Sequence, residues 1–221
     1  SKRYVMKHVL SGELQILAGA LNRITDRSWH SRDFTLHELR TALTEIVTAF
    51  PVYRTYVHES ASEEDRRDIS WAIQRAKKRS PAIDDSVFEF IEGVLTNDLP
   101  KRDSGYSPTE VLRFLMKFQQ YTGPVMAKSF EDTAFYRYGR LLSLNEVGGN
   151  PQRYGVSPAA FHAINQQRLS RWPHSMIALS THDAKRGSDA RARINVLSEI
   201  PFEFGRKVAR WNRINRVRRT S

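Results

Sequence analysis

Residues 176–197 read MIALSTHDAKRGSDARARINVL. Met176 to Leu179 form a short apolar run, Ser180 to Asp183 are polar, Gly187 breaks the chain, and Ser188 opens a segment with Ile194 and Leu197 on one helical face. The pattern predicts a strand, a loop and a helix capped at its start by Ser188. Strand, loop and helix units build parallel sheets and barrels, and in a (β/α) barrel the chemistry sits on loops that follow the carboxyl ends of the strands. His182 and Asp183 stand where such a loop places catalytic groups, with Lys185 and Arg186 close behind. Position alone leaves two readings open: catalytic side chains, or an exposed histidine and aspartate that pair with the neighbouring cations.

Outward from this stretch the chain is mostly helical in pattern. Leu10, Leu14, Leu17, Leu21 and Ile24 recur at helical spacing, so the first two dozen residues predict one amphipathic helix. Thr35 with Glu38 makes a capping box ahead of the apolar stripe Leu36, Leu39, Leu43, Ile46 and Val47. Pro51 ends that helix, and Val52-Tyr-Arg-Thr-Tyr-Val57 is rich in β-branched and aromatic residues, which predicts a strand. Helices follow near residues 63–79 and 84–97. Ser107-Pro-Thr-Glu110 then combines an N-cap, a first-turn proline and a capping-box glutamate. After it, the apolar run Val125-Met-Ala127 leads into Lys128, Glu131 and Asp132, repeating the arrangement of charge behind an apolar run. Gly148 and Gly149 are not a dinucleotide fingerprint, since no GxGxxG opens a helix here. Ser157-Pro158 starts a further helix toward Trp172. The expected fold is mainly α, a helical insertion plus a few β/α units of an incomplete (β/α)8 barrel, with about three short strands, too few to close one. Its expected division is 1–120, mainly helical with a strand near 52–57, and 121–221, βα units that carry the active-site loops and a basic C-terminal helix.

With 221 residues, 40% hydrophobic and 27% charged, the chain can bury a core as one domain or two. No apolar run is long enough to span a membrane and no signal-like segment opens the chain, so the expected location is cytoplasmic with no membrane partner. Zero cysteines exclude disulfides and thiolate metal sites, and no cofactor or metal is expected. The start Ser1-Lys-Arg-Tyr, without Met, reads as a piece of something longer. The formal charge of +11 invites a nucleic-acid partner, and much of it lies after Phe202, where seven cations, from Arg206 to Arg219, face only Glu203. A solvated face, or a helix that docks on acidic neighbours, is preferred there, because no RNP-like, zinc or helix-turn-helix pattern accompanies the charge.

Three separated motifs in order carry a resemblance. They are RDFTLHELRTAL with FPVYRTYV (32–43 and 50–57), QQYTGPVMAKSFEDTAFYRYGRLLSLNEVGGNP (119–151) and WPHSMIALSTHDAKRGSDARARINVLSEIP (172–201). Together they resemble the maltooligosyl trehalose synthase family of the α-amylase superfamily, from near the start to about Asn212. The resemblance implies a (β/α)8 barrel isomerase, an intramolecular transferase that turns the reducing-end α-1,4 linkage of a maltooligosaccharide into an α,α-1,1 linkage. Catalysis in that superfamily uses three carboxylates and the logic of retaining glycosidases, with two carboxyl groups about 5 to 5.5 Å apart.

Carried over by motif, Asp183 matches the third carboxylate, which holds sugar hydroxyls as the ring becomes oxocarbenium-like, and His182 its hydroxyl-binding neighbour. Lys128, Glu131 and Arg186 match positions that would hold the reducing-end sugars, and Tyr53, Arg54 and Tyr56 are further candidates that strand packing would explain equally. A structural ion pair is the alternative for Lys128 and Glu131. Two positions depart from the family pattern, Ser129 where a glycine is usual and Ala184 where a threonine is usual. No motif for the nucleophile or general acid occurs before Val52, so both are expected in a missing N-terminal part of the same enzyme. The chain alone is then expected to be inactive and to self-associate. The runner-up functions are a helical nucleic-acid-binding module and a hydrolytic or glucanotransferase relative.

Overall fold

Polar side chains set where the helices begin. Thr35 accepts from the Glu38 backbone N–H at 3.2 Å while the Glu38 carboxylate accepts from Thr35 N–H at 2.9 Å. Ser62 and Asp65 make the same reciprocal box. Asp84, Ser107 and Ser157 each accept from a first-turn N–H. Every such bond removes an orphan donor that the helix cannot satisfy itself. At Ser107 the expected box is only half made, because the Glu110 carboxylate turns to the Arg27 guanidinium at 2.8 and 3.1 Å.

The computed structural model describes residues 1–219. It divides into two compact units, Ser1–Ala134 and Phe135–Ser221. In the first, α1 (Lys2–His8), α2 (Ser11–Thr25), α3 (Leu36–Ala49), α4 (Glu63–Arg79), α5 (Asp85–Leu95), α6 (Leu99–Arg102) and α7 (Pro108–Met126) lead into a π-helix, Ala127–Ala134. Leu21, Leu39, Leu43, Ile46, Ile69, Ile73, Phe88, Ile91, Phe114 and Phe118 form its buried centre. Each such side chain contributes roughly 1.5–3 kcal/mol by leaving water, before conformational entropy is set against it. The single helix expected over the first two dozen residues is two: the chain turns at Val9 and Leu10, and the Tyr121 hydroxyl donates to the Leu10 carbonyl at 3.1 Å. Lys2 Nζ donates to the Phe50 and Val47 carbonyls, at 2.7 and 3.3 Å, and so closes the C-terminal end of α3.

Among the described residues there is no strand, which corrects the expectation for 52–57, for the run at 125–127 and for 176–179. Val57 shows the physical reason most directly. Its N–H donates to Gln119 Oε1 at 2.7 Å and its carbonyl accepts from Gln119 Nε2 at 3.0 Å. One buried side-chain amide thus does for Val57 what a neighbouring strand would, and the pleated ladder never starts. The run 125–127 continues α7 into the π-helix. Residues 176–179 are irregular and exposed, with no second strand to pair them.

The second unit contains α8 (Phe135–Arg137), α9 (Pro158–Arg171), α10 (Ser188–Val196) and α11 (Pro201–Ile214). Ser188 is the first helical residue of α10 and Gly187 its N-cap, without a side-chain cap bond, so the capping role expected of Ser188 is not made. Only Phe135, Asn145 and Pro151 are buried among the described residues of this unit. On α11 the apolar residues Trp211 and Ile214 are 52% and 57% exposed, so the inward face that their spacing suggests is not covered here. No helix of the described residues is long and apolar enough to cross a membrane.

The Gln119 clamp gives a test of the fold. Gln119→Leu leaves a buried N–H and carbonyl at Val57 without partners and is expected to lower the unfolding free energy by roughly 2–4 kcal/mol. Urea unfolding of the 221-residue chain measures it, and a loss below about 0.5 kcal/mol would refute the clamp.

Candidate functional site

The first group of site residues surrounds the exit from α7. Pro124 lies inside the last turns of that helix, where it cannot donate a backbone hydrogen bond. Beyond it the backbone widens into the π-helix, a form that recurs at functional sites because it turns neighbouring side chains out of their α-helical register. Two hydroxyls hold the widened turn. Ser129 donates to the Val125 carbonyl at 2.6 Å, and Thr133 donates to the Lys128 carbonyl, five residues back, at 2.9 Å. Ser129, a departure from the family pattern, is therefore a buried anchor of the helix that carries Lys128 and Glu131.

Glu131 is buried, and the Tyr53 hydroxyl donates to its Oε1. This joins residue 53 to residue 131, two positions that the sequence offered separately. Lys128 does not pair with Glu131: its Nζ lies 3.1 Å from Asp132 Oδ2 on the exposed side of the π-helix. The ion pair anticipated as a structural alternative exists, but with Asp132, which leaves Glu131 to the tyrosine. Arg54 turns away from this pair. Its Nε donates to the Thr55 carbonyl at 3.3 Å and its guanidinium lies 4.4 Å from the centre of the Tyr56 ring.

The second group belongs to the second unit, within residues 180–191. His182 Nδ1 is 3.4 Å from Asp183 Oδ1, and both side chains are exposed. Arg186 donates to the Leu142 carbonyl at 3.1 Å. What orders this loop is Glu146, a residue that sequence reasoning did not single out. Its Oε1 accepts from the Lys185 N–H at 2.8 Å and from Val147 N–H at 3.0 Å, and its Oε2 lies 3.9 Å from Arg191 Nη1. Burial works against the Glu146 charge, but the N–H groups of Lys185, Val147 and Arg186, with Arg191, outweigh it and hold the carboxyl below its ordinary range. Arg191 also donates to the Leu179 carbonyl, tying α10 to the run before the loop.

The glycine pair behind Glu146 marks a tight turn but not the role of the acid. Gly148 has φ +72°, and a Cβ at Gly149 would come within 2.8 Å of the Glu146 carbonyl oxygen and 2.9 Å of that of Leu144. The glycines are needed to fold the chain tightly around residues 144–149. Asn145 fastens the same turn by donating to the Phe135 and Tyr138 carbonyls at 2.7 and 2.6 Å. No group of three or more His, Asp or Glu side chains among the described residues has the arrangement to hold a metal ion.

Chemically, the first group offers a buried carboxylate with a phenol on it and an exposed ammonium. The second offers an imidazole and a carboxylate open to a ligand on a loop braced from beneath. Hydroxyl-rich ligands suit both, because carboxylates accept from hydroxyls and the imidazole, ammonium and phenol can donate.

No family model matches the chain. Two curated proteins of Mycobacterium tuberculosis, strains CDC 1551 / Oshkosh and ATCC 25618 / H37Rv, are 56% identical to it over 87 residues, which is 39% of this chain and 11% of each of theirs; both are named "Putative maltooligosyl trehalose synthase". A solved structure of maltooligosyltrehalose synthase from Arthrobacter ramosus matches 93% of the chain at 34% identity with a TM-score of 0.70, over 23% of its own length. One of a hypothetical maltooligosyl trehalose synthase from Sulfolobus tokodaii matches 96% of the chain at 29% identity and TM-score 0.64, over 24% of its length. The chain thus spans about a tenth of the curated relatives and about a quarter of the solved ones.

The Glu146 brace predicts a pH-dependent loop. A carboxyl whose folded value lies below the ordinary carboxyl range adds stability that is present above that ordinary range and is lost as pH falls through the folded value. At neutral pH, Glu146→Ala is expected to speed amide hydrogen exchange at Lys185 roughly tenfold, read residue by residue by NMR. Unchanged exchange would mean that something else orders the loop.

Proposed function

Because the chain is related to maltooligosyl trehalose synthases, over a stretch equal to 23% of the Arthrobacter ramosus enzyme, we propose that it is a segment of an intramolecular transglucosylase. The reaction converts the reducing-end α-1,4 linkage of a maltooligosaccharide into an α,α-1,1 linkage. The observation that carries this reading is the extent of the likeness. It covers 93% of the chain at 34% identity, and the solved relative carries the name of this one activity. The pairing of Tyr53 with Glu131 supports it, since two motif positions 78 residues apart meet at one point.

In this reading the nucleophile and general acid come from another part of the longer enzyme. Asp183 supports the oxocarbenium-like transition state through the sugar hydroxyls, and His182 donates to a hydroxyl beside it. Lys128 and the Tyr53–Glu131 pair hold the freed glucose while it turns over and attacks through its own anomeric hydroxyl, and Arg186 is a donor for sugar hydroxyls on its own loop. Retaining that glucose is an orientation problem, which fixed donors and acceptors solve by removing rotational freedom. Excluding water, which would turn the transfer into hydrolysis, falls to the enclosing walls.

The same reading accounts for the uncovered apolar side chains of the second unit. Met176 is 97% exposed and Phe202 87%, and such surface calls for a partner. The partner is the remainder of the enzyme. Alone, the chain is inactive and covers this surface by self-association.

The test uses the complete protein with maltopentaose, following reducing ends and free glucose together. Reducing ends are expected to disappear without release of glucose, and Asp183→Asn is expected to slow that loss by roughly 10²- to 10³-fold. Glucose release in step with the reaction would point instead to a hydrolytic relative, and a fully active Asp183→Asn would overturn the site.

A further inference from the structure

Trp29 is 71% exposed on the loop after α2, an unusual place for the largest apolar side chain. It stacks on His30, with ring centres 3.6 Å apart. His30 in turn lines an open cavity of about 320 Å³, at the lower end of the range for small-ligand sites. Three rings also line this cavity, Phe34 and Tyr106 each against Phe90, with centres 5.7 and 5.9 Å apart. Asp103 and Glu89 supply carboxylates to the lining.

The polar part is held in place. Asp103 Oδ1 accepts from Gly105 N–H at 2.8 Å and Oδ2 from the Ser28 hydroxyl at 3.0 Å. These two bonds, the backbone one first, keep its carboxyl below the ordinary range and fix its direction. A carboxylate has about four lone-pair positions, so two remain for O–H donors of a ligand. The Ser31 and Tyr106 hydroxyls are already bonded to each other at 2.8 Å, which stiffens the wall beside it. Phe90 and Tyr106 are buried beneath the cavity, so the ring surface open to a ligand is that of Trp29 and His30, with half-buried Phe34 beside them. Exposed rings with carboxylate acceptors at their edge match a pyranose, whose C–H face is apolar and whose rim is hydroxyl. A compact anion is disfavoured by the two carboxylates. None of these residues belongs to the two groups described above.

We propose that this cavity, with Trp29 at its edge, is a second binding site for an α-1,4-glucan chain, separate from the residues that carry the reaction. The proposal rests on the α-glucan reading for the identity of its ligand. Its role is to retain a distant stretch of a long maltooligosaccharide, which raises the effective concentration of the chain end at the catalytic residues.

The test titrates the 221-residue chain with maltopentaose and follows the Trp29 indole N–H and the Gly105 amide by NMR, with cellopentaose as the differently shaped control. Saturable shifts of both resonances are expected with maltopentaose, and the affinity read at the Gly105 amide is expected to fall at least fivefold in Trp29→Ala and in Asp103→Asn. In a chain carrying both Tyr53→Phe and Asp183→Asn the Trp29 and Gly105 resonances are expected to shift as in the parent, while any shifts at 128–131 and 180–186 are reduced. Trp29→Ala binding as tightly as the parent, or shifts confined to residues 128–131 and 180–186, would overturn the second site. Loss of reducing ends in the complete protein reports only on the catalytic reading, so the two proposals fail separately.

Discussion

The amide of Gln119 on the backbone of Val57 is the interaction around which the first unit is arranged. A buried extended segment must give every N–H and carbonyl a partner, and Val57 takes both of its partners from one side chain of α7. With Val57 fixed to α7, the segment from Pro51 runs beside the same helix whose far end widens into the π-helix. Lys2 secures the start of that segment by closing α3 at Phe50. Tyr53 and Glu131 then meet as a consequence of two fixed ends, and their bond marks where the packing of the unit becomes chemistry.

The second unit is organised differently. It has little buried apolar surface of its own and is held by polar anchors, Asn145 on two carbonyls and Glu146 on the backbone of the His182–Arg186 loop. Such anchors define a local shape without supplying the transfer free energy that a core supplies. Apolar side chains are accordingly left at its surface, Met176 and Phe202 among them. The first unit has a core, and an aromatic cavity whose lining shares no residue with the Tyr53–Glu131 pair or Lys128.

Residue patterns went furthest where the physics is local. Helix starts at Thr35, Ser62, Ser107 and Ser157 follow from the geometry of one side chain and the N–H three residues on, which neighbouring sequence is enough to specify. The sugar-binding roles expected of Tyr53, Lys128, Glu131, His182, Asp183 and Arg186 came from the resemblance to the family's motifs, not from residue spacing. Glu146 was not legible, because an acid beside two glycines has no pattern of its own until Lys185 and Arg191 are brought to it.

The sequence by itself determined the predominance of helix, the caps at Thr35, Ser107 and Ser157, the buried stripe of α3, and the likeness to the trehalose-forming enzymes. Only the tertiary structure decided that Val52 to Val57 is not a strand here, that Lys128 pairs with Asp132 while Glu131 takes Tyr53, and that the loop of Asp183 rests on Glu146. The physical reason is the same in each case. Helices satisfy their backbone within a few residues, whereas extended segments and buried carboxylates must be satisfied by groups far along the chain, and which group arrives is settled by packing.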